Sequence, residues 1–303
     1  QSTLLHKQAD DVWRIDFQLG WEADPAEEKK PEKVIPRLKA MLGEETEFEL
    51  EWVSIYQFAC RRIDDFRHGR VLFAGDAAHQ VSPFGARGAN TGVQDIDNLG
   101  WKLKLVIDGK APENLIDSYD EERAFAADDN LRQSTRSTDF ITPKSEMSRR
   151  FRNAVLDLAA DHAFARPLVN SGRLSTPTPY VGSSLNTPDE DVFAGTMVPG
   201  TNCADAPVTA GGKADWLLHH LGDGFTVLTF GPAPAKTVDC GTITAKVLII
   251  GDDLADPKGL VAERYDGRPG TTYLIRPDQH VAARWRVFDA EKIARAVARA
   301  CAA

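Results

Sequence analysis

The stretch from Gly69 to Asp95, GRVLFAGDAAHQVSPFGARGANTGVQD, constrains the fold of this chain more than any other part of the sequence. It opens with a continuous apolar run, VLFAG, which is typical of a strand buried on both faces inside an α/β sheet. Asp76 follows, and a bend rich in glycine then leads into an amphipathic helix, whose apolar residues recur every three or four positions from Val93 to Ile107. Because open α/β sheets bind ligands at the carboxyl ends of their strands, we expect a ligand at this turn.

The turn offers two kinds of group to such a ligand. Gly75 permits close backbone approach, and the Asp76 carboxylate can accept hydrogen bonds from a polyol or a ribose-like pair of hydroxyls. Main-chain N–H groups at the start of the helix would stabilise a negatively charged ring or an oxyanion. The bend that brings them there is shaped by one proline and three glycines, Pro83, Gly85, Gly88 and Gly92.

Structural roles stay open for the polar residues near this turn. Asp76 is also explained as a cap of the following turn, and a histidine such as His79 is more often a packing residue than a catalyst. Arg61 and Arg62 fit surface ion pairs, with the holding of an anionic group as the alternative. Physical chemistry thus predicts a site here and leaves its reaction open.

Composition narrows the class of partner. The 303 residues carry a net charge of -9 with a pI near 5.3, which disfavours nucleic acid and anionic lipid and favours a small molecule. No window approaches the roughly 18 apolar residues of a membrane span, and the N-terminus lacks the layout of a signal peptide, so we predict a cytoplasmic protein. The four cysteines contain no CxxC pair, and His219 with His220 has no partners at ligand spacing, so no metal site is predicted.

Two segments near the N-terminus alternate apolar and polar residues as strands do. Residues 13–19 read as a half-buried strand, and a loop with a helix ending at Gly43 follows. In residues 47–58 the apolar side chains, among them Tyr56 and Phe58, share a face that either packs in the core or lines a pocket. A strand so close to the first residue needs neighbours, and we therefore expect the sequence to be a fragment of a longer chain.

The run GRVLFAGDAAHQVSPFGARGANTGVQDIDNLGWKL, followed by LIDSYDEERAFAADDN, resembles the second flavin-binding motif of a known enzyme family. The family is that of the FAD-dependent aromatic hydroxylases, the single-component flavoprotein monooxygenases, of the 3-(3-hydroxyphenyl)propionate hydroxylase and phenol hydroxylase type. The resemblance covers residues from about Phe48 to Asn130. It implies that Asp76 hydrogen-bonds the ribityl chain of FAD and that Pro83 is the catalytic-site residue beside the flavin.

The same resemblance implies the other contacts and the chemistry. The backbone of Gly88, Ala89 and Asn90 would meet the pyrimidine edge of the flavin. Gly75 and Gly85 are predicted cofactor contacts because they shape the turn, and Tyr56 and Phe58 are predicted contacts of a small aromatic substrate if their face lines a pocket. In this family NAD(P)H reduces FAD, O2 forms a flavin C4a-hydroperoxide, and one hydroxyl passes to a phenolic ring. The protein supplies placement and electrostatics.

Two departures limit the resemblance. The family's GxGxxG strand–helix motif and its DG motif do not occur in this sequence. We therefore expect the chain to be the C-terminal portion of a hydroxylase that binds FAD weakly by itself. The alternative is a non-catalytic remnant that acts as a binding or subunit-assembly module and retains no flavin.

The predicted fold class is α/β and α+β, with the C-terminal part of a hydroxylase-type FAD-binding fold followed by a thioredoxin-like domain. Residues 1–66 are expected to be the remainder of the substrate-binding sheet, and residues 67–175 the C-terminal part of the FAD-binding domain with its following helices. Residues 176–207 read as a linker rich in proline, glycine, serine and threonine. From Trp216 a helix, two strands, a hairpin and a last helix resemble a thioredoxin-like domain without CxxC over residues 208–303, with a homodimer contact as one role left open.

Overall fold

The computed structural model of the protein describes residues 3–20, 22–83, 87–173 and 176–303, which form two compact units. One unit comprises Gln1–Ala59 with Arg136–Val169, and the other comprises Cys60–Thr135 with Asn170–Ala303. The boundary after residue 135 lies within a long helix, α4 (Asp117–Ile141). Within the described residues, no helix combines the length and the apolar character needed to cross a bilayer.

The first unit begins with a β-hairpin in which β1 (Thr3–Lys7) pairs antiparallel with β2 (Trp13–Phe17). The β2 strand confirms the prediction for residues 13–19, whereas β1 was missed because TLLHK does not alternate. Two helices follow, α1 (Pro25–Glu28) and α2 (Pro31–Leu42), and α2 ends at Gly43 as predicted. The rest of the unit contains α5 (Glu146–Asp161) and α6 (Arg166–Val169).

The strand predicted over residues 47–58 is wrong. This segment has no regular secondary structure, and Trp52 and Tyr56 are 81% and 71% exposed. Alternating side chains define a strand only when a neighbouring backbone accepts its N–H and C=O groups. No strand among the described residues pairs with this segment.

The second unit begins with short antiparallel pairs. β3 (Arg61–Arg62) pairs with β6 (His79–Gln80), and β4 (Arg67–His68) pairs with β5 (Val71–Leu72). The prediction that VLFAG forms a strand buried on both faces is therefore wrong, since β5 has two residues, Val71 is 57% exposed and β4 is its only described partner. The helix that follows, α3 (Arg87–Ile107), ends where the sequence predicts and begins earlier than Val93.

The C-terminal part contains a hairpin and a five-stranded sheet. The hairpin joins β7 (Pro207–Ala210) to β8 (Lys213–Trp216). The sheet has the order β10-β11-β9-β12-β13, in which β9 and β11 are parallel and the other neighbours are antiparallel. Its elements are β9 (Thr226–Phe230), β10 (Thr237–Asp239), β11 (Thr244–Ile250), α7 (Leu260–Arg264), β12 (Thr272–Ile275), β13 (Val281–Trp285) and α8 (Ala290–Ala300).

The predicted strands, hairpin and terminal helix of this part are confirmed, and the mixed α/β fold class with them. Assignment of the sheet to the thioredoxin-like class stays a prediction. The described part of residues 176–207 has no long helix or strand, yet it buries Tyr180, Leu185 and Cys203. The proposed domain boundaries also stay predictions.

Candidate cofactor-binding site

The turn after β5 packs directly against helix α3. Gly75 has a φ of +59°, a conformation that residues with a Cβ rarely adopt, and it opens a single 3-10 turn over Gly75–Ala77. A Cβ on Gly92 would lie 3.4 Å from the Cα of Gly75. Two glycines thus allow the backbone of the turn to approach the backbone of the helix.

An open cleft of about 810 Å³ begins at this contact and follows α3. It lies wholly within the second unit, and most of its wall is apolar or glycine. Asp97 and Trp101 line the part of the cleft that lies further along α3. The residues that line it are Ala74, Gly75, Ala89, Gly92, Val93, Ile96, Asp97, Gly100, Trp101, Gly222 and Pro277.

Two residues predicted to contact the cofactor, Gly75 and Ala89, line the near end of this cleft. Asp76 is exposed and, within the described part of the chain, its carboxylate neither caps the turn nor has another partner. Gly88 and Ala89 lie in the first turn of α3, where backbone N–H groups have no partner inside the helix, and Asn90 follows them. The alternative in which Asp76 serves as a cap is therefore not what the structure shows.

The other predicted site residues are not brought into this group. Pro83 is exposed, and Gly85 lies outside the described residues. Tyr56 and Phe58 belong to the first unit, where their rings stack with centroids 6.3 Å apart. The Arg62 guanidinium donates to both carboxylate oxygens of Asp128, which confirms its ion-pair role.

Sequence reasoning missed a buried carboxylate that ties the turn to the helix. The side chain of Asp95, on α3, is completely buried. One of its oxygens accepts hydrogen bonds from the Gly75 N–H at 2.8 Å and from His79 Nε2 at 2.8 Å. The other accepts from Arg123 Nε at 2.6 Å. The packing role expected of His79 is thus confirmed, with Asp95 as its partner.

A second buried cluster joins α3 and α4 to the β12–β13 hairpin. The Arg276 guanidinium donates to both carboxylate oxygens of Glu122, at 2.6 and 2.9 Å, and to both oxygens of Asp278, at 3.0 and 2.5 Å. The ammonium of Lys102 donates to Glu122 at 2.8 Å and to Asn98 at 2.9 Å. Charged side chains that are this deeply buried are stable only when each of them is paired with an opposite charge.

Charge pairing shifts the titration of this cluster. Although burial raises the pKa of Glu122, the charges of Arg276 and Lys102 lower it well below the ordinary value of 4.5. The pKa of Asp278 is likewise lowered, chiefly by Arg276, against the opposing effect of burial. Burial lowers the pKa of Lys102 to about 8, and the charge of Glu122 only partly opposes this. All three groups are therefore charged at pH 7.

We expect the free energy of unfolding to fall as the pH drops below about 4.5, because the unfolded chain takes up protons that folded Glu122 and Asp278 do not. Above that pH their contribution is fully present. Each such carboxylate adds a slope of at most about 1.4 kcal/mol per pH unit. Urea unfolding from pH 3 to pH 7 measures the slope.

The matched variants are Glu122→Gln and Glu121→Gln, which alter a buried carboxylate and its exposed neighbour. Glu122→Gln should make the acid slope shallower, whereas Glu121→Gln should leave it unchanged. Equal acid slopes for wild type and Glu122→Gln would contradict the assignment.

A signal for both clusters is present in the sequence. Polar residues of α3 recur at helical spacing beside its apolar face, and all of them are buried: Thr91, Asp95, Asn98 and Lys102. These residues form a polar stripe on the side of the helix that faces the protein interior. It was overlooked because helical periodicity is usually sought among apolar residues only.

Comparisons with known proteins identify the class of this fold and site. Residues 5–134 match the FAD binding domain family. The chain is 34% identical over 235 residues to a flavin-dependent monooxygenase of Mycobacteroides abscessus, covering 77% of this chain and 41% of that protein. It is 24% identical over 354 residues to the 3-(3-hydroxy-phenyl)propionate/3-hydroxycinnamic acid hydroxylase of Comamonas testosteroni, covering 95% and 60%.

Solved structures show the same fold. The flavin-dependent monooxygenase PieE, solved in complex with FAD and substrate, matches with a TM-score of 0.77 at 23% identity, over 96% of this chain and 57% of that chain. The chain spans from two fifths to three fifths of the length of these relatives.

Residues 5–134 are thus similar to an FAD-binding domain, and the chain shares its fold with part of a flavin-dependent monooxygenase. This chain is a relative of the FAD-dependent aromatic monooxygenases, and residues 5–134 match their FAD-binding domain. The resemblance noted from the sequence is confirmed.

Proposed function

We propose that this chain forms the part of an FAD site that holds the ring and the ribityl chain, in a monooxygenase that hydroxylates a phenolic or aromatic substrate with NAD(P)H and O2. The observation that carries the proposal is the near end of the α3 cleft. There Gly75 and Ala89 line the wall, and the exposed Asp76 comes directly after Gly75 in the turn.

The residues present fit the ring and ribityl parts of the cofactor. A Cβ at Gly92 would lie 3.4 Å from the Cα of Gly75, so the two glycines let the turn and the helix pack closely and line the cleft without side chains. The Asp76 carboxylate would accept hydrogen bonds from ribityl hydroxyls. N–H groups at residues 88 and 89 would donate to the pyrimidine edge, and the helix dipole would favour negative charge on the ring.

FAD, once reduced, supplies the oxygen-activating chemistry, and the protein's own contribution is placement and exclusion of water. The mostly apolar cleft wall offers few groups that bind water beside the cofactor end. Pro83 stays the predicted neighbour of the reacting oxygen. Tyr56 and Phe58 stay the predicted substrate contacts, and their aromatic faces suit a phenolic ring.

The first experiment titrates the chain with FAD and with riboflavin and follows the quenching of flavin fluorescence. Because the sequence contains no GxGxxG motif for the pyrophosphate, we expect the two ligands to bind with similar affinity. Much tighter binding of FAD would show that this chain holds the phosphates as well. Failure of both ligands to bind would contradict the proposed function.

Asp76→Ala is expected to weaken riboflavin binding about tenfold, because it removes a charged acceptor worth at least about 1.5 kcal/mol. Asp76→Asn, which keeps one acceptor oxygen, should lose less. The same fluorescence titration measures both variants. Asp108→Asn, at the far end of α3, is the control and should bind like wild type. Unchanged affinity in Asp76→Ala would exclude Asp76 from the site.

The second candidate function is a non-catalytic module for binding or subunit assembly. The observation that favours it is the well-packed C-terminal sheet, whose strands β9, β12 and β13 are almost wholly buried within the second unit. It predicts a folded chain without flavin affinity, so the same titration separates the two functions. A homodimer, and a cytoplasmic location consistent with four free cysteines, stay predictions.

A further inference from the structure

The carboxylate of Asp95, on α3, links the Gly75 turn at the cofactor end of the cleft to Arg123 of α4. Its Oδ2 atom accepts from the Gly75 N–H, at the turn that presents Asp76. Its Oδ1 atom accepts from Arg123, whose guanidinium also donates to the carbonyl of Thr91, in the second turn of α3, at 3.1 Å. One buried ion pair therefore holds both the turn and the beginning of the helix.

The backbone of the turn relies on this side chain. Gly75 follows the end of β5, and the partner of its N–H is the Asp95 carboxylate and not a carbonyl of a neighbouring strand. At a φ of +59° it lies outside strand geometry, so no regular ladder fixes its orientation. A charge-assisted bond to a fully buried acceptor is shorter and more directional than a bond to water.

We propose that Asp95 is a positioning residue for the cofactor, which holds the Gly75 turn so that the Asp76 carboxylate meets the ribityl chain. This inference rests on the proposed function. Asp95 has no exposed surface and does not line the cleft, so it acts through Gly75 and Arg123 and not by contact with the ligand.

The surroundings of Asp95 keep it ionised. Burial raises its pKa, but the hydrogen bond from His79 and the charge of Arg123 outweigh burial and leave the pKa lowered. Arg123 is fixed in turn by a hydrogen bond to Tyr180 at 2.6 Å, and the Tyr180 ring stacks on His280 with centroids 4.7 Å apart. The turn is therefore anchored to the hairpin of the C-terminal sheet.

The test compares wild type, Asp95→Asn and the control Asp108→Asn in the full 303-residue chain. The first readout is the Gly75 amide proton in ¹⁵N-labelled protein without flavin, by its chemical shift and its hydrogen-exchange rate. The second is riboflavin affinity from fluorescence quenching. In Asp95→Asn we expect the Gly75 amide to shift upfield, to exchange at least about tenfold faster, and riboflavin to bind about tenfold more weakly. Asp108→Asn should match wild type in both readouts.

His79→Leu supplies a second variant in case Asp95→Asn does not fold. It removes one donor to Asp95 and keeps the Arg123 ion pair and the apolar contact with Phe66, whose ring lies 5.7 Å from His79. We expect changes in the same direction but smaller, because Asp95 keeps its bonds from Gly75 and Arg123 and loses one partner that fixes its position. Circular dichroism before each titration confirms that the variant is folded.

Two results would overturn the inference: an unchanged Gly75 amide in the folded variants, or a changed amide with unchanged riboflavin affinity. A wild-type chain that binds no flavin overturns the proposed function, and the cofactor role of Asp95 with it. These failures are distinguishable, because the first two occur in the variants and the third occurs in wild type.

Discussion

Replacing Arg276 with methionine is expected to lower the free energy of unfolding by about 3–5 kcal/mol. Methionine fills similar volume but leaves the carboxylates of Glu122 and Asp278 facing each other without their shared partner. Both carboxylates are 1% exposed, so water cannot replace the lost hydrogen bonds. Lys102 still pairs with Glu122, but it does not pair with Asp278.

Urea unfolding followed by far-UV circular dichroism measures this loss. The matched control is Arg268→Met, which removes an arginine that is 70% exposed and lies 3.5 Å from Asp266. For such a surface pair the expected change is below about 1 kcal/mol. If both substitutions lowered the unfolding midpoint equally, the buried cluster would contribute no more to the free energy of unfolding than a surface ion pair does.

Gly92→Leu is expected to weaken flavin binding about 10- to 100-fold while the helix persists. A Cβ at this position would already lie 3.4 Å from the Cα of Gly75, so a leucine side chain must displace the turn or enter the cleft. Overpacking of this kind costs about 1–3 kcal/mol, and each 1.4 kcal/mol is a tenfold change in affinity. Leucine is a better helix former than glycine by nearly 1 kcal/mol, so α3 itself should not weaken.

Gly100→Leu makes the same change at the other end of the cleft, about 12 Å further along the helix. Among the described residues, no atom would lie within 4 Å of a Cβ at Gly100. This variant should bind riboflavin like wild type and unfold at a slightly higher urea concentration. Equal loss of binding in the two variants would place the flavin along the whole cleft and not at the Gly75 end.

The two buried clusters explain why the C-terminal sheet and the helices α3 and α4 form one compact unit. Arg276 and Asp278 come from the β12–β13 hairpin, Glu122 comes from α4, and Lys102 comes from α3. Glu122 also accepts a hydrogen bond at 2.6 Å from the hydroxyl of Ser183, which belongs to the segment predicted as a linker. We therefore expect residues 60–135 and 170–303 to unfold in one cooperative transition.

Local sequence determined much of this protein. The helix that ends at Ile107, the strands and hairpin after residue 225, and the terminal helix Ala290–Ala300 follow from periodicity and from glycine signals. The turn from Gly75 to Asp76 and its position before a helix N-terminus could also be predicted, because glycine and aspartate are typical of such turns. The family was recognisable from the same run of residues.

Tertiary structure decided the rest. Residues 47–58 and the VLFAG run have the pattern of strands, but a strand exists only where another backbone completes its hydrogen bonds, and the described residues supply little such pairing. The partners of Asp95 and Arg276 are equally hidden from local pattern, since Arg123 lies 28 residues from Asp95 in sequence and Glu122 lies 154 residues from Arg276. Buried charges are stabilised by groups brought from distant segments, and only the fold determines which groups meet.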